Sequence, residues 1–478
     1  MFFWIAGACN AIHCNSIHSS ATALHRKEMR VMTDSAKIGN QITEGVIWKQ
    51  LLIFFFPILL GTFFQQLYNT IDTVIVGQFV GTEALASVGG SSAQIVSLVV
   101  GFFTGLSSGA SITIAQFTGA RDARSANKAL HNAYAIAGTG GIILTIAGIL
   151  LTPAMLRLMN TPPETMEDSS VYLRIYFAGI IFVLIYNMGA SILRATGDSR
   201  RPLYYLIVCC LINIVLDITF VVVFQLGVMG VAIATLIAQA VSAVLVTYRL
   251  IRADGLLKLY MRQIRFHGKM LASQLKMGLP TGFESILFSI TNIAILAAIN
   301  SFGTDTVAAW SAFGKLDALF WMISTAFGIS ITTFVGQNYG AGKMDRVKKS
   351  TLVCLLIDLA VSAVLVIVLV LGRSLFFRLF TTDPAVIEIG SEMMRLIMPW
   401  YIVYVFIEIL AGSLRGVGDV IVPVVITLFG VCVFRIIWLI GVMQISPTIP
   451  AIIYSYPVTW ILTAATFIIY YIRKYRKL

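Results

Sequence analysis

Charge is scarce in this chain. Only 12 % of its 478 residues are Asp, Glu, Lys or Arg, about half of the roughly 25 % usual in soluble domains. With 58 % hydrophobic residues and a mean hydropathy of +0.88, a water-soluble domain is excluded. Cysteine is also rare: Cys9, Cys14, Cys209, Cys210, Cys354 and Cys432. The last four stand in long apolar runs, where a thiol acts as a small buried hydrophobe, so no disulfide framework follows. There are five histidines, and only His131 falls in an apolar segment. That leaves no nucleophile–base or metal constellation for a membrane-embedded enzyme. Nor is there a complete phosphate loop: Gly340-Ala-Gly-Lys343 lacks the full Gly-x4-Gly-Lys-Ser/Thr spacing. Direct ATP drive is thereby disfavoured, and no organic cofactor is expected.

The basic excess of 34 Lys and Arg over 22 Asp and Glu, a net charge of +12, does not point to nucleic acid. It is distributed between apolar segments, as expected for loops facing an anionic leaflet. Segments of roughly 20 apolar residues are long enough to cross a bilayer. Cutting at charge clusters and turns gives twelve, near 47–79, 84–117, 126–152, 170–194, 202–225, 228–250, 270–300, 306–335, 350–372, 386–414, 421–443 and 449–472. Basic residues precede the first span and follow every even one, for instance Arg121 and Arg124, Arg200 and Arg201, Lys343 and Arg346, and Arg473 and Lys474. The opposite loops are poor in charge or acidic, with Arg157, Arg373 and Arg378 as exceptions. The positive-inside rule then predicts a multi-pass protein of the cell membrane with both termini cytoplasmic.

Residues 1–45 differ. Phe2–Ala8 is too short to span and lacks a basic leader, and Cys9 and Cys14 with His13, His18 and His25 match no zinc spacing. The segment reads as a mobile extension, with Met29 or Met32 as alternative starts.

The chain repeats itself. Leu193-Arg-Ala-Thr-Gly-Asp198 returns as Leu414-Arg-Gly-Val-Gly-Asp419, an offset of 221 residues as from Arg194 to Arg415. Gln116 with Gly119-Ala120 matches Gln337 with Gly340-Ala341 at that same offset, and Pro57 pairs with Pro280 after a small drift. Six spans per half return the chain to the side where it began, so the repeats are parallel, related by an axis along the membrane normal. The expected fold is all-α: twelve transmembrane helices in two six-helix bundles related by a parallel pseudo-two-fold repeat. Residues 46–250 form one lobe, 251–269 a cytoplasmic linker with Asp254-Gly255, and 270–478 the other.

Polar residues at bilayer depth are costly and mark pathways. Gln65, Tyr68, Asn69 and Asp72 recur at helical spacing on one face of the first span. Asn213 and Asp217 stand four apart in the fifth. At about 1.5 Å per residue, Asp72 and Asp217 both rise some 22–24 Å from comparable inner positions, and Thr235 falls at a similar height. Two carboxylates meeting in low dielectric need a proton or cation between them, the physics of a coupling-ion site. The second half lacks this pair and carries Glu284, Asp317, Asp358, Glu408 and Arg435 instead. Arg435 is expected to pair with one of these acids, and Glu284 or Glu408 to bind a cationic substrate or to serve structure. Phe54–Phe56 read as lipid-facing, and Tyr204, Trp310, Trp321 and Trp400 as aromatics that either line a cavity or pack, with packing preferred.

From about Glu44 onward the chain resembles the multidrug and toxic compound extrusion (MATE) family of secondary transporters, in its branch similar to damage-inducible exporters. The resemblance is carried by Gln-Gln-Leu-Tyr-Asn-Thr-Ile-Asp-Thr (65–73), Gly81-Thr-Glu-Ala-Leu-Ala, the two Leu-Arg-x-x-Gly-Asp turns and Asn213-x3-Asp217. It implies a V of two six-helix bundles. The implied activity is alternating-access export of drugs or organic cations, small cationic amphipathic molecules, in exchange for H+ or Na+ by a monomer in contact with membrane lipid. Carried over, the ion site is Asp72, Asn213, Asp217 and Thr235, with Tyr172 and Asn187 as a surrounding network; Asp72 and Asp217 ligate a metal ion only if that ion is Na+. A C-lobe acid pair is not implied, since Tyr404 stands where the second acid would be. A flippase of similar architecture for lipid-linked or polyisoprenoid substrates is the alternative. It calls for a cationic lumen, for which the chain offers mainly Arg174, Arg395 and Arg435.

Overall fold

The computed structural model describes residues 42–253, 258–445 and 447–476. The tail with its histidines, Cys9 and Cys14, the alternative starts and Asp254-Gly255 lie outside the described residues. Among the described residues all regular structure is helical, and twelve helices are long and apolar enough to span a membrane. They are α1 (Ile47–Phe79), α2 (Thr82–Gly119), α3 (Ala123–Leu158), α4 (Pro163–Ala195), α5 (Arg200–Val223) and α6 (Gly227–Ile251), followed by α7 (Gly268–Asn300), α8 (Thr304–Gly340), α9 (Met344–Leu371), α10 (Pro384–Gly416), α11 (Ile421–Ile445) and α12 (Ile449–Tyr475). The fold class read from sequence is therefore the fold observed. Arg157 belongs to the last turn of α3, and Arg373 and Arg378 bound a short helix between α9 and α10, which accounts for basic residues on the acidic side.

Each lobe is organised round one central helix. In the first, α4 packs against α2, α3 and α6, while α1 lies along α5. In the second, α10 plays the part of α4 and packs against α8, α9 and α12. Both central helices end in the repeated turn. Gly197 and Gly418 adopt φ of 96° and 90°, a left-handed conformation that glycine takes without a Cβ penalty. This lets the amide of Asp198 donate to Leu193 O at 3.0 Å and that of Asp419 to Leu414 O at 3.0 Å, closing each helix in a Schellman-type cap.

The lobes join through small residues. Gly105 and Gly109 of α2 face Gly278 and Gly282 of α7, and a Cβ on any of the four would overlap the opposing backbone. Removing side chains in a small-xxx-small pattern lets two membrane helices approach closely. At the seam, Thr281 Oγ1 donates to Gly105 O at 2.7 Å. Phe54 and Phe55 are buried here rather than lipid-facing; Phe55 stacks on Phe327 of α8 with centroids 3.9 Å apart. Only Phe56 of that trio is exposed. At the end bearing the basic loops the seam tightens into a symmetric latch. Gln116 Nε2 donates to Gly416 O at 2.9 Å, and its repeat counterpart Gln337 donates to Ala195 O at 2.8 Å. Gly119 touches the Gln337 carbonyl and Gly340 that of Gln116.

Two further ties lie at the same end. Arg346 donates to the carbonyls of Ile42, Glu44 and Gly45, and Lys343 to that of Thr43, while Glu44 reaches Arg121 of the first lobe at 3.6 Å. The linker returns to α3, where His131 Nε2 accepts from the Tyr260 amide at 3.0 Å and Asn132 Oδ1 from the His267 amide at 2.9 Å. Asp122 caps α3 by accepting from the Ser125 amide at 3.0 Å. Its hydrogen bonds to Ser125 hold the carboxyl below the usual aspartate range.

An added methyl tests the latch. Gly340→Ala places a Cβ against the Gln116 carbonyl, so the lobes should part at the basic end. Spin labels on Arg124→Cys and Asp345→Cys in a cysteine-free background should then report a longer separation by double electron–electron resonance. An unchanged distance distribution would show that the contact does not hold this end shut.

Candidate functional site

The first-lobe acids come together. Asp72 of α1 and Asp217 of α5 lie against one another with Asn213 beside both. Asp217 is the last residue before a π turn, Ile218–Val223; such widened turns re-aim a helix and recur at functional sites. Tyr68 lies beside Thr235 of α6, and Tyr172 of α4 approaches both aspartates and stacks on Tyr176 at 6.3 Å. Two of the expected residues stand apart from this group. Gln65 is exposed, and Asn187 donates to Val183 O of its own helix at 3.0 Å.

The cluster is buried and its polar atoms are unspent. Asn213 and Asp217 are 0 % exposed, Thr235 3 % and Asp72 8 %. Asp72 Oδ1, both Asp217 oxygens, both polar atoms of the Asn213 amide and Thr235 Oγ1 make no hydrogen bond of ordinary length and angle, though they lie near enough to one another, and Thr235 to Tyr68, to interact. Buried polar groups are almost always paired, and each exception calls for an explanation. None of the ion pairs among the described residues involves either aspartate. Two carboxylates, an amide oxygen and a hydroxyl form a set of hard oxygen donors, suited to a proton or a hard cation. Among the described residues no three His, Cys, Asp or Glu stand together.

The second lobe treats its charges differently. Glu284 of α7 and Glu408 of α10 both face Arg415, at 4.0 and 3.6 Å. Arg415 thus belongs to a partly buried triad rather than to an exposed basic loop. It takes the place expected for Arg435, that of ion-pair partner to the second-lobe acids. The Arg435 guanidinium instead lies 4.0 Å over the Tyr456 ring and donates to Thr459 Oγ1 at 3.0 Å, because Arg415 already engages the glutamates. Of the three basic residues that a flippase lumen would use, Arg435 is buried, Arg174 is exposed and Arg395 pairs with Glu392 on the surface at 2.6 Å.

Other residues were under-read. Asp317 accepts from Trp321 Nε1 at 2.8 Å and from the Tyr401 hydroxyl. Asp358 is 0 % exposed and accepts from Ser362 Oγ at 3.0 Å. Trp310 and Trp321 line a cavity instead of merely packing, whereas Tyr204 is 55 % exposed. The available signal was helical spacing: Trp310, Asp317, Trp321 and Ser324 fall at steps of seven, four and three, on one face of α8.

Breaking the triad has a graded cost. Arg415→Gln leaves two carboxylates facing each other and should lower stability by about 3–5 kcal/mol. Glu284→Gln keeps one pair and should cost clearly less. Chemical unfolding in detergent micelles measures both, and equal losses would contradict the shared-partner arrangement.

Comparison with known proteins follows the same lines. The MatE family model matches residues 57–219 and again 280–440. The probable multidrug resistance protein YoeA of Bacillus subtilis is 29 % identical over 392 residues, 80 % of this chain and 84 % of that protein. The probable multidrug resistance protein YpnP of the same organism is 30 % identical over 394 residues, 82 % of this chain and 88 % of that one. A solved structure described as the outward-facing conformation of a multidrug resistance MATE family transporter of the MOP superfamily superposes with a TM-score of 0.85 at 22 % identity, over 92 % of this chain and 98 % of that one. The double family match, the extended similarity to both relatives and the shared twelve-helix fold lead to one conclusion: this chain belongs to the MatE family, a multi-pass membrane transporter and not an enzyme.

Proposed function

We propose that the protein is a secondary antiporter that exports drugs or organic cations across the cell membrane in exchange for H+ or Na+ by alternating access. One observation carries this reading: the first lobe buries two facing aspartates with an amide and a hydroxyl, and their polar atoms are left without a hydrogen bond of ordinary length and angle. Such a pair cannot stay fully ionised at bilayer depth without positive charge. An entering proton or cation supplies it, changes which of these groups can pair, and so changes how α1, α5 and α6 pack. The transport path lies between two lobes of one chain, so the working unit is a monomer in lipid. Loop charge supports a cytoplasmic basic end, and with it cytoplasmic termini. The lobes are latched at that end by Gln116 and Gln337, and alternating access requires the latch to open. The names of the two Bacillus subtilis relatives support a multidrug substrate range.

Uptake of a cationic dye into inverted vesicles, where export runs inward, under separately imposed pH and Na+ gradients, tests the reading. Asp72→Asn or Asp217→Asn should reduce gradient-driven movement to the level of empty vesicles while membrane insertion is unchanged. Thr235→Val should slow transport roughly fivefold, the worth of about 1 kcal/mol for one hydroxyl contact. The gradient that drives the wild type names the ion. Normal uptake in both aspartate variants would sink the proposal.

A further inference from the structure

The second lobe holds a cavity of about 550 Å³, within the range of sites that enclose drug-sized molecules. Five helices of the second lobe line it, with Phe288 and Asn292 among the residues from α7. Trp310, Asp317, Trp321 and Ser324 come from α8; Tyr401, Tyr404 and Glu408 from α10; Tyr456 and Trp460 from α12. Arg435 of α11 closes one side, and Gln94 of α2 is the contribution of the first lobe.

The charges on this wall do not balance. Glu408 already faces Arg415 at 3.6 Å, and Arg435 lies 4.0 Å over the Tyr456 ring and donates to Thr459 at 3.0 Å, with its Nε left unpartnered. Asp317 is different: it takes part in none of the ion pairs among the described residues. Its partners are two neutral donors, Trp321 Nε1 at 2.8 Å and the Tyr401 hydroxyl. They hold the carboxylate in place and use about two of its four acceptor positions. Counting the triad behind it, three carboxylates (Glu284, Asp317 and Glu408) stand against two guanidiniums (Arg415 and Arg435). A second polar group is also free. Ser324, two turns along the same face, is 1 % exposed and its Oγ has no partner. Around both stand indole and phenol rings, whose faces attract cations, most strongly where water is excluded.

We propose that this cavity binds the exported molecule, and that it takes an aromatic organic monocation with its charge at Asp317 and its rings among Trp310, Trp321, Tyr456 and Trp460. The proposal rests on the exporter reading and names the binding group within it. It divides the work between lobes: the ion is taken up beside Asp72 and Asp217, the substrate beside Asp317. The rival occupant is an anion held by Arg435.

Tetraphenylphosphonium and tetraphenylborate have the same shape and opposite charge, so equilibrium binding to the full-length, detergent-solubilised protein separates these occupants. Labelled tetraphenylphosphonium should bind, and tetraphenylborate should not displace it. Asp317→Asn should weaken binding at least about tenfold, the equivalent of 1.4 kcal/mol. Ser324→Phe, which fills the cavity and keeps the carboxylate, should weaken it similarly, so the test survives if one variant fails to fold. Wild-type affinity in both variants would overturn the proposal, as would equal or tighter binding of tetraphenylborate. The two readings fail differently. Binding that depends on Asp317 without gradient-driven efflux would support this site and count against the exporter. Efflux of tetraphenylphosphonium undiminished in Asp317→Asn would support the exporter and reject this site.

Discussion

A carboxylate in hydrocarbon costs several kcal/mol unless a positive charge or a proton neutralises it, and the two lobes meet that constraint in opposite ways. In the second lobe Arg415 supplies one internal positive charge shared by Glu284 and Glu408. The first lobe has Asn187 where Glu408 would repeat, and Arg194, the counterpart of Arg415, donates to Ser191 Oγ at 3.2 Å. Its own acids, Asp72 and Asp217, face each other with no internal cation. The Glu284–Arg415–Glu408 triad holds its cation internally and is structurally fixed. A lobe whose charge is open responds to whatever cation the solution provides, and that difference suits a machine in which one half senses an ion gradient.

The frame that carries this asymmetry is nearly symmetric. Gln116 bonding to Gly416 and Gln337 bonding to Ala195 are one contact made twice, since each residue of the second pair or its acceptor is the repeat image of the first. Gly119 and Gly340 let the backbones of α2 and α8 meet closely enough for both. Duplication thus explains why the lobes close on a shared axis, while the substitutions within them decide the chemistry. Both π turns adjoin a buried ionisable residue, Asp217 before Ile218–Val223 and Arg435 after Leu428–Val433. They do not occupy repeat-equivalent positions, so these departures from the helix are not part of the repeated frame.

The amino-acid order alone determined the class, the number of spans and the repeat. These depend on local properties: the length of apolar runs, the placement of Lys and Arg, and motif identity at a constant offset. It also set Asp72, Asp217 and Thr235 at a similar height, with Asn213 one turn from Asp217, because helical rise converts residue count directly into depth. What it did not determine is which side chains turn toward each other across different helices. Arg415 looked like a loop residue and Arg435 like the ion-pair partner; rotation of α10 and α11 about their axes reversed these roles. Phe54 and Phe55 looked lipid-facing until α8 covered them. Asp317 was visible as an intramembrane acid, but its lack of a cationic neighbour and its aromatic surroundings belong to four helices at once. Rotation and lateral packing are set by contacts between segments far apart in the chain, and only the tertiary structure fixes them.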